Sequence, residues 1–500
     1  RNQLFSVSGT LNNGAAGISK LAIDKSVGSL KLAGNATTIA VQSDFTLNKG
    51  VFDDGGKILT IAGNVKNAGT HIGDGKVQMN GNGAQTILGG GIFQNLELNN
   101  NAAGAPISLG DHLTIEGQLT FSQDRRFNIA GHNLKMGPNA SFVGANANRY
   151  VVTSGEAGAG GITKVVAEPG SIHFPVGVVN YTPATLTLNG VPNSYGSISV
   201  VPVNMEHPNT TVKGRSLSYY WRVKSQDFDL GAATVSHGYV YADANVVSGG
   251  NVTEAGYVAA RYQANSYSWT NGSTADVDVS MNRIGEPGGG AFLENVGFID
   301  GEYTAGDNNP GNPFGVPTVF YSRRNGEWRN TSTWSLTGHA VNNEPGRVPG
   351  AGDVVVIGNG HTVSLITWDT TADRDARQVA SLQIEAGATL DVAYNPGSDF
   401  SIVRSHPNGN GLFRVRPSNT SGSTFQFPKG DFSEFNSNLG TTELYTSNPN
   451  AGTTYWLPND IDNYGNLILS PLGGSNIIFG NTDVTIYGDL ITRGQNSESW

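Results

Sequence analysis

The sequence predicts an all-β chain in which β-solenoid, β-helix-like repeats flank a β-sandwich. Three observations carry this expectation. First, Phe93-Gln-Asn-Leu-Glu-Leu98 matches Tyr464-Gly-Asn-Leu-Ile-Leu469, Leu113-Thr-Ile-Glu-Gly-Gln-Leu119 matches Val484-Thr-Ile-Tyr-Gly-Asp-Leu490, and Ile107 falls on Ile478, all at an offset of 371 positions. A register kept without a gap through the intervening loop is what short strands produce when turns of fixed length stack them into repeats. Second, apolar-x-apolar triplets recur between Gly/Asn turns, and no helical periodicity of useful length appears. Third, 68 of the 500 residues are Gly, about twice the average usage of roughly 7%. Glycine accepts positive φ without steric cost, so this many glycines imply many tight turns.

Residues 1–155 are read as the first solenoid region. Leu21-Ala-Ile23, Leu30-Lys-Leu32, Leu59-Thr-Ile61, Leu96-Glu-Leu98, Leu113-Thr-Ile115 and Leu134-Lys-Met136 each place two side chains on one face and one on the other. Such a strand is too short to hold alone, but stacked on its neighbours it buries a continuous apolar column. A β-sandwich is the rival reading of this stretch. Residues 165–305 carry longer strands, among them Ala184-Thr-Leu-Thr-Leu188, Ile198-Ser-Val-Val-Pro-Val203 and Leu217-Ser-Tyr-Tyr-Trp-Arg-Val-Lys224. About nine turn-separated strands predict an immunoglobulin-like sandwich. Alternation puts Tyr219, Trp221 and Val223 on one face, and Trp221 is read as a core anchor rather than a binding residue. Residues 306–318, with Gly306-Asp-Asn-Asn-Pro-Gly-Asn-Pro-Phe314, read as a linker. Residues 319–500 form a second β-rich solenoid unit that ends in the second copy of the repeat.

Composition excludes several functions. The net charge of −10, with no Lys/Arg cluster, disfavours nucleic acid. The absence of Cys removes disulfides and thiolate metal sites, and no apolar run approaches the length of a membrane span. Only 14% of residues are charged, against roughly 25% in average soluble proteins, so Asn, Thr, Ser and backbone supply the polar surface. The chain opens Arg1-Asn-Gln-Leu-Phe5 without Met and closes at Trp500 just after a strand, and it is expected to be a piece of a longer protein. The regular apolar punctuation argues against disorder as the cause of the high Gly content.

Several phrases carry a resemblance. Gly326-Glu-Trp-Arg-Asn-Thr-Ser-Thr-Trp-Ser335, Pro349-Gly-Ala-Gly-Asp353, Gly360-His-Thr-Val363 and Ser381-Leu-Gln-Ile-Glu-Ala-Gly-Ala-Thr-Leu390 resemble a recurring module of very large Bacteroidota surface proteins. So do Gly83-Ala-Gln-Thr-Ile87 before Phe93-Gln-Asn-Leu-Glu-Leu98, and Phe174-Pro-Val-Gly177 with Tyr181-Thr-Pro183 before Tyr219-Tyr-Trp-Arg-Val223. The resemblance covers most of the chain and is to repetitive adhesin-like proteins exported by the type IX secretion system, some serving gliding motility. It implies an extracellular, cell-surface location and passage through the type IX translocon. No catalytic residue is carried over, because the resembling motifs are structural.

The chemistry-bearing residues are sparse. No G-x-S-x-G elbow, H-E-x-x-H, P-loop or dinucleotide fingerprint is present. His361 reads as a turn residue, and Asp369, Asp373, Arg374 and Asp375 as a solvated charge run; the acidic pairs Asp53-Asp54 and Asp460/Asp462 are weaker still. Asp307, Asn308, Asn309 and Asn312 offer oxygen ligands for a calcium ion in the linker, although their spacing matches no EF-hand loop, and hydrogen-bonded turns are the alternative. Asp369-Thr370-Thr371 resembles a short O-glycosylation acceptor, with Thr370 as its site. Tyr262, Tyr267 and Trp269 near the Asn271-Gly272 turn are the aromatic candidates for stacking on sugar rings, with core packing as the alternative. These readings point to a non-enzymatic structural stalk or adhesin segment, without a required cofactor, that attaches to extracellular glycans or solid surfaces. The alternatives are a carbohydrate-active β-helix enzyme, a lyase or hydrolase using paired carboxylates on one face, and an extracellular filament subunit.

Overall fold

The apolar triplets become short strands because each can bury two side chains only by lying in register on the next. The structure, a computed structural model, describes residues 2–6, 17–101, 106–158, 160–285, 290–309, 311–365, 377–406, 411–418, 420–447, 452–458, 461–480 and 484–493. It is all-β, and the one α-helix among the described residues is Ser433–Ser437. The chain divides into two compact units, the first made of Arg1–Met205, Arg215–Gln263 and Thr270–Pro310, the second of Glu206–Gly214, Ala264–Trp269 and Gly311–Trp500.

In the first unit, parallel strands stack in three columns. One column holds Val65–Asn67, Gln85–Leu88, Ile107–Leu109, Phe127–Ala130 and Val151–Thr153. A second holds Thr70–Ile72, Ile92–Phe93, Leu113–Ile115, Leu134–Met136 and Ile162–Val165. The third holds Thr38–Val41, Ile58–Ile61, Lys76–Met79, Leu96–Leu98, Gln118–Phe121 and Ser141–Val143. The longer strands Leu21–Ala33 and Phe45–Asp53 run through the first and second columns. The chain visits the columns in turn, so each circuit of roughly 20 residues is one rung of a β-solenoid.

Inward side chains form the apolar columns that the triplets imply. Phe52, His71, Phe93, Ile115 and Met136 follow one another up the second column, all without solvent exposure. Burying each such apolar side chain stabilises the fold by about 1.5–3 kcal/mol. His71 is the polar intruder, stacked on Phe52 at 5.5 Å and set edge-on to Phe93 at 5.8 Å. Its Nε2 lies 2.9 Å from Asp54 Oδ2, and Asp54 Oδ1 accepts the amides of Gly56 and Gly75. The Asp53-Asp54 pair is thereby divided, since Asp53 turns outward to Lys31 at 2.9 Å.

At the second column the solenoid passes directly into antiparallel structure. Ile162–Val165 pairs in parallel with Leu134–Met136 and antiparallel with Ser197–Val203. The sheet continues through Tyr220–Gln226, Gly301–Asp307 and Tyr257–Gln263. The segments read as 1–155 and 165–305 are thus joined by one continuous sheet. A second antiparallel sheet holds Gly170–Phe174, Ala184–Asn189, Thr234–Val240, Arg283–Gly285 and Val277–Asp278. The two sheets pack through Trp221, 5.1 Å from Tyr239, and Tyr239, 5.0 Å from Tyr303. Trp221 is a buried anchor whose indole donates to the Thr182 carbonyl at 2.8 Å. The face opposite Trp221 is covered too, because Arg222 is buried beside Glu302 at 3.6 Å and donates to the Ala157 carbonyl at 2.7 Å.

The second unit repeats the parallel scheme. One column runs Val319–Ser322, Val354–Ile357, Ser381–Ile384, Asp399–Ser405 and Lys429–Asp431. Another runs Gly326–Glu327, Thr362–Ser364, Thr389–Ala393, Leu412–Val415, Thr441–Tyr445, Asn466–Ser470 and Leu490–Thr492. Trp328 and Trp334 are buried 5.1 Å apart, with the Trp334 indole donating to the Trp328 carbonyl. The tryptophans of that motif are core residues.

The two copies of the repeat fold alike. Phe93 pairs with Ile115 and Leu96 with Leu119; at the same offset, Tyr464 pairs with Ile486 and Leu467 with Leu490. Hydrogen bonds follow the same register: Glu116 N donates to Phe93 O, and Tyr487 N to Tyr464 O, both at 2.9 Å.

Candidate functional site: a polar groove across the rungs

The turn from the second column to the third is tight, and its residues stack from rung to rung. At this corner Asn95 does the structural work. Its Oδ1 accepts the Gln118 amide at 2.9 Å, and its Nδ2 donates to the Gly75 carbonyl at 2.8 Å, tying three rungs together. Gly117 is glycine because a Cβ there would lie 2.5 Å from Asn95 Oδ1. Gly137 leaves room for the Glu116 carboxylate, whose Oε2 would be 2.1 Å from a Cβ at that position.

The corner opens as a groove of about 600 Å³ crossing four rungs. Besides Asn95, its polar side chains are Asp74, Gln94, Glu116, Gln118, Asn139 and Ser141, and no Lys or Arg lines it. The nearby Lys164 ammonium is tied to the carbonyls of Gly137, Pro138 and Ala140. Burial pushes its pKa down, against the pull of Glu116 and Glu168. Amides and carboxylates that face solvent in a row can accept and donate hydrogen bonds to a polyhydroxylated chain.

Comparison of the two copies separates fold from function at this corner. Asn95 and Gly117 recur as Asn466 and Gly488; Asn466 Oδ1 accepts the Asp489 amide at 2.8 Å, and a Cβ on Gly488 would lie 2.2 Å from it. Gln94 and Glu116, by contrast, are replaced by Gly465 and Tyr487. The stack therefore requires the Asn and the Gly and leaves the groove-facing positions free. Sequence reading missed Gln94 and Glu116, although the positions that differ between two otherwise matched copies were the signal available.

The candidates named from sequence fall elsewhere. Tyr262 is fully buried on a strand covered on both faces, which corrects its reading as an exposed sugar platform. In the second unit, Trp269 is half-buried, its indole donating to Asn209 O at 2.9 Å and its ring packing 4.8 Å from Phe314. Tyr267 is half-buried, and burial raises its phenol pKa. Asp307 is buried against Arg215 at 3.5 Å; its carboxylate also accepts the amides of Thr253 and Asn309. Arg215 donates in turn to the carbonyl of Asn309, which lies beside Asn308 in the sequence. A guanidinium thus occupies the carboxylate that the calcium reading needs. Asn312 Oδ1 accepts the Phe314 amide within the second unit. Among the described residues no group of three or more His, Asp or Glu is placed to hold a metal ion. Thr370, the Asp369–Asp375 charge run and Asp460 lie outside the described residues. His361 Nδ1 sits 2.8 Å from Ser322 Oγ, a turn-stabilising contact.

No family model matches the chain, and no curated protein or solved structure matches it.

Proposed function

We propose that this chain is a non-enzymatic spacer and adhesin segment of a large extracellular, cell-surface protein, attaching to glycans or glycan-coated surfaces. The observation that supports this reading most is the register shared by the two copies of the repeat. A unit that stacks on itself through backbone and side-chain staples such as Asn95 adds length and surface with each rung. The antiparallel sheets of residues 165–305 act as an immunoglobulin-like module that continues the stack. The resemblance to type IX-exported adhesins agrees with this reading, and low charge with abundant amide side chains gives attachment without strong electrostatic steering.

Beads coated with the purified chain are expected to hold to polysaccharide-coated surfaces and to release no new reducing ends or unsaturated products. One observation favours a second reading: Asp74 and Glu116 line one groove, as the paired carboxylates of a β-helix hydrolase would. Release of new reducing ends that Glu116→Gln abolishes would replace the adhesin reading with that one.

A further inference from the structure

We infer that the corner groove takes a linear amino-sugar polysaccharide, laid along the stack with its ammonium groups at Asp74 and Glu116. This inference rests on the attachment reading above and names its ligand.

Direction comes first. The groove crosses successive rungs, so it runs along the stacking direction, and neighbouring strands lie about 4.8 Å apart. That pitch is close to the length of one pyranose unit in an extended chain. Each rung therefore meets about one sugar, and the lining repeats with the ligand. Charge comes second. Asp74 and Glu116 stand two rungs apart, with Gln94 on the rung between them and Asn139 on the rung beyond. No cation lines the groove, and the Lys164 ammonium is held by backbone carbonyls. An anionic chain would bring like charge to the Asp74 and Glu116 carboxylates at every second sugar, whereas a chain of amino sugars would place ammonium groups on them. Independence from the fold comes third. The second copy keeps the Asn and Gly of this corner while carrying Tyr487 in place of Glu116. The carboxylate is a feature of this site and not of the stack, and Gly137 gives it room.

The contacts are open to solvent, so each is weak and screened by salt. Affinity then comes from several rungs acting together.

Isothermal titration of the whole chain at pH 5.5 with β-1,4-linked hexamers of glucosamine and of glucose, and with the α-1,4-linked hexamer of galacturonic acid, tests this. The glucosamine hexamer is expected to bind best and the galacturonic acid hexamer not at all. Asp74→Asn with Glu116→Gln is expected to weaken glucosamine binding by roughly tenfold, as the loss of two exposed ion pairs allows. Asp74→Lys with Glu116→Lys is expected to reverse the preference toward galacturonic acid, a gain that misfolding cannot imitate. Undiminished glucosamine binding in the neutralised variant, or no reversal in a folded Lys variant, would overturn the inference. If beads hold to polysaccharide while the hexamer ignores the groove, the inference fails and the attachment reading stands. If beads hold to no surface, both fail.

Discussion

Asn95 accepts the backbone amide of Gln118 across 23 residues of sequence at 2.9 Å, and Asn466 accepts that of Asp489 across the same span at 2.8 Å. This staple fixes one rung on the next where the turn is too tight for regular pairing. Asn95→Ala leaves the Gln118 amide and the Gly75 carbonyl without their protein partners, at a cost of about 1–2 kcal/mol. Hydrogen exchange at Gln118 is the local check and should quicken in Asn95→Ala. Asn95→Asp keeps the acceptor and should protect that amide nearly as well as Asn.

Gly117 and Asn95 are one device. A Cβ at residue 117 meets Asn95 Oδ1 at 2.5 Å and the Gln94 carbonyl at 2.6 Å, so Gly117→Ala should destabilise the first unit by about 1–3 kcal/mol. Combining it with Asn95→Ala should cost less than the two changes added together, because one of the clashing atoms is gone. Urea denaturation of the three variants measures the coupling, and strict additivity would show that the staple and the glycine are unrelated.

The buried Arg222–Glu302 pair predicts a larger effect. Both side chains are nearly inaccessible, and their closest charged atoms are 3.6 Å apart. Glu302→Ala strands a guanidinium in the antiparallel sheet, which typically costs about 3–5 kcal/mol. A replacement that removes both charges and keeps the volume should be much milder, and thermal unfolding distinguishes the two.

The units should respond to pH with opposite signs. His237 is buried among Tyr239, Phe298 and Tyr303, and burial pushes it down to about 4. Its unfolded form takes up a proton near pH 6.5 that the folded form refuses until about 4. The first unit therefore loses stability as pH falls through that window, by about 3 kcal/mol at most. Burial shifts His132 and His173 in the same direction. In the second unit, burial opposes protonation of His339, but Glu385 at 3.6 Å and the Ser322 carbonyl outweigh it and hold the imidazole above its usual range. Its contribution is complete below 6.5 and is lost as pH rises through the raised value. Glu385, held below its usual range first by His339, keeps its contribution until pH falls through the lowered value. Between pH 7.5 and 5.5, exchange protection should fall around His237 and hold or rise around His339. A parallel fall in both units would contradict these assignments.

Much of the stack was legible in the sequence. Triplets such as Leu113-Thr-Ile115 carry a period of two that only a pleated strand satisfies, and the matched spacing of the copies encodes the register directly. The passage from solenoid to antiparallel sheet was not legible, because Ile162-Thr-Lys-Val165 has the same pattern whether its neighbour runs parallel or antiparallel. The burial of Tyr262 was hidden for a related reason: on a strand covered on both faces, as the burial of Tyr257–Tyr262 shows, alternation no longer separates inside from outside. The groove escaped notice because it is assembled from turn residues about one rung apart, and a turn read alone shows only Gly, Asn and Gln.

The central claim is that successive circuits of the chain lie one rung apart in fixed register, and the absence of native Cys makes it directly measurable. Ser29 and Lys135 stand five rungs apart in one column, linked through Val51, Thr70, Ile92 and Thr114. Spin labels on Ser29→Cys and Lys135→Cys should give a narrow distance distribution near 24 Å, five steps of about 4.8 Å. Moving the second label to Thr114→Cys should shorten it by about 4.8 Å. A broad distribution, or a distance indifferent to that move, would contradict the stacked solenoid on which the functional reading depends.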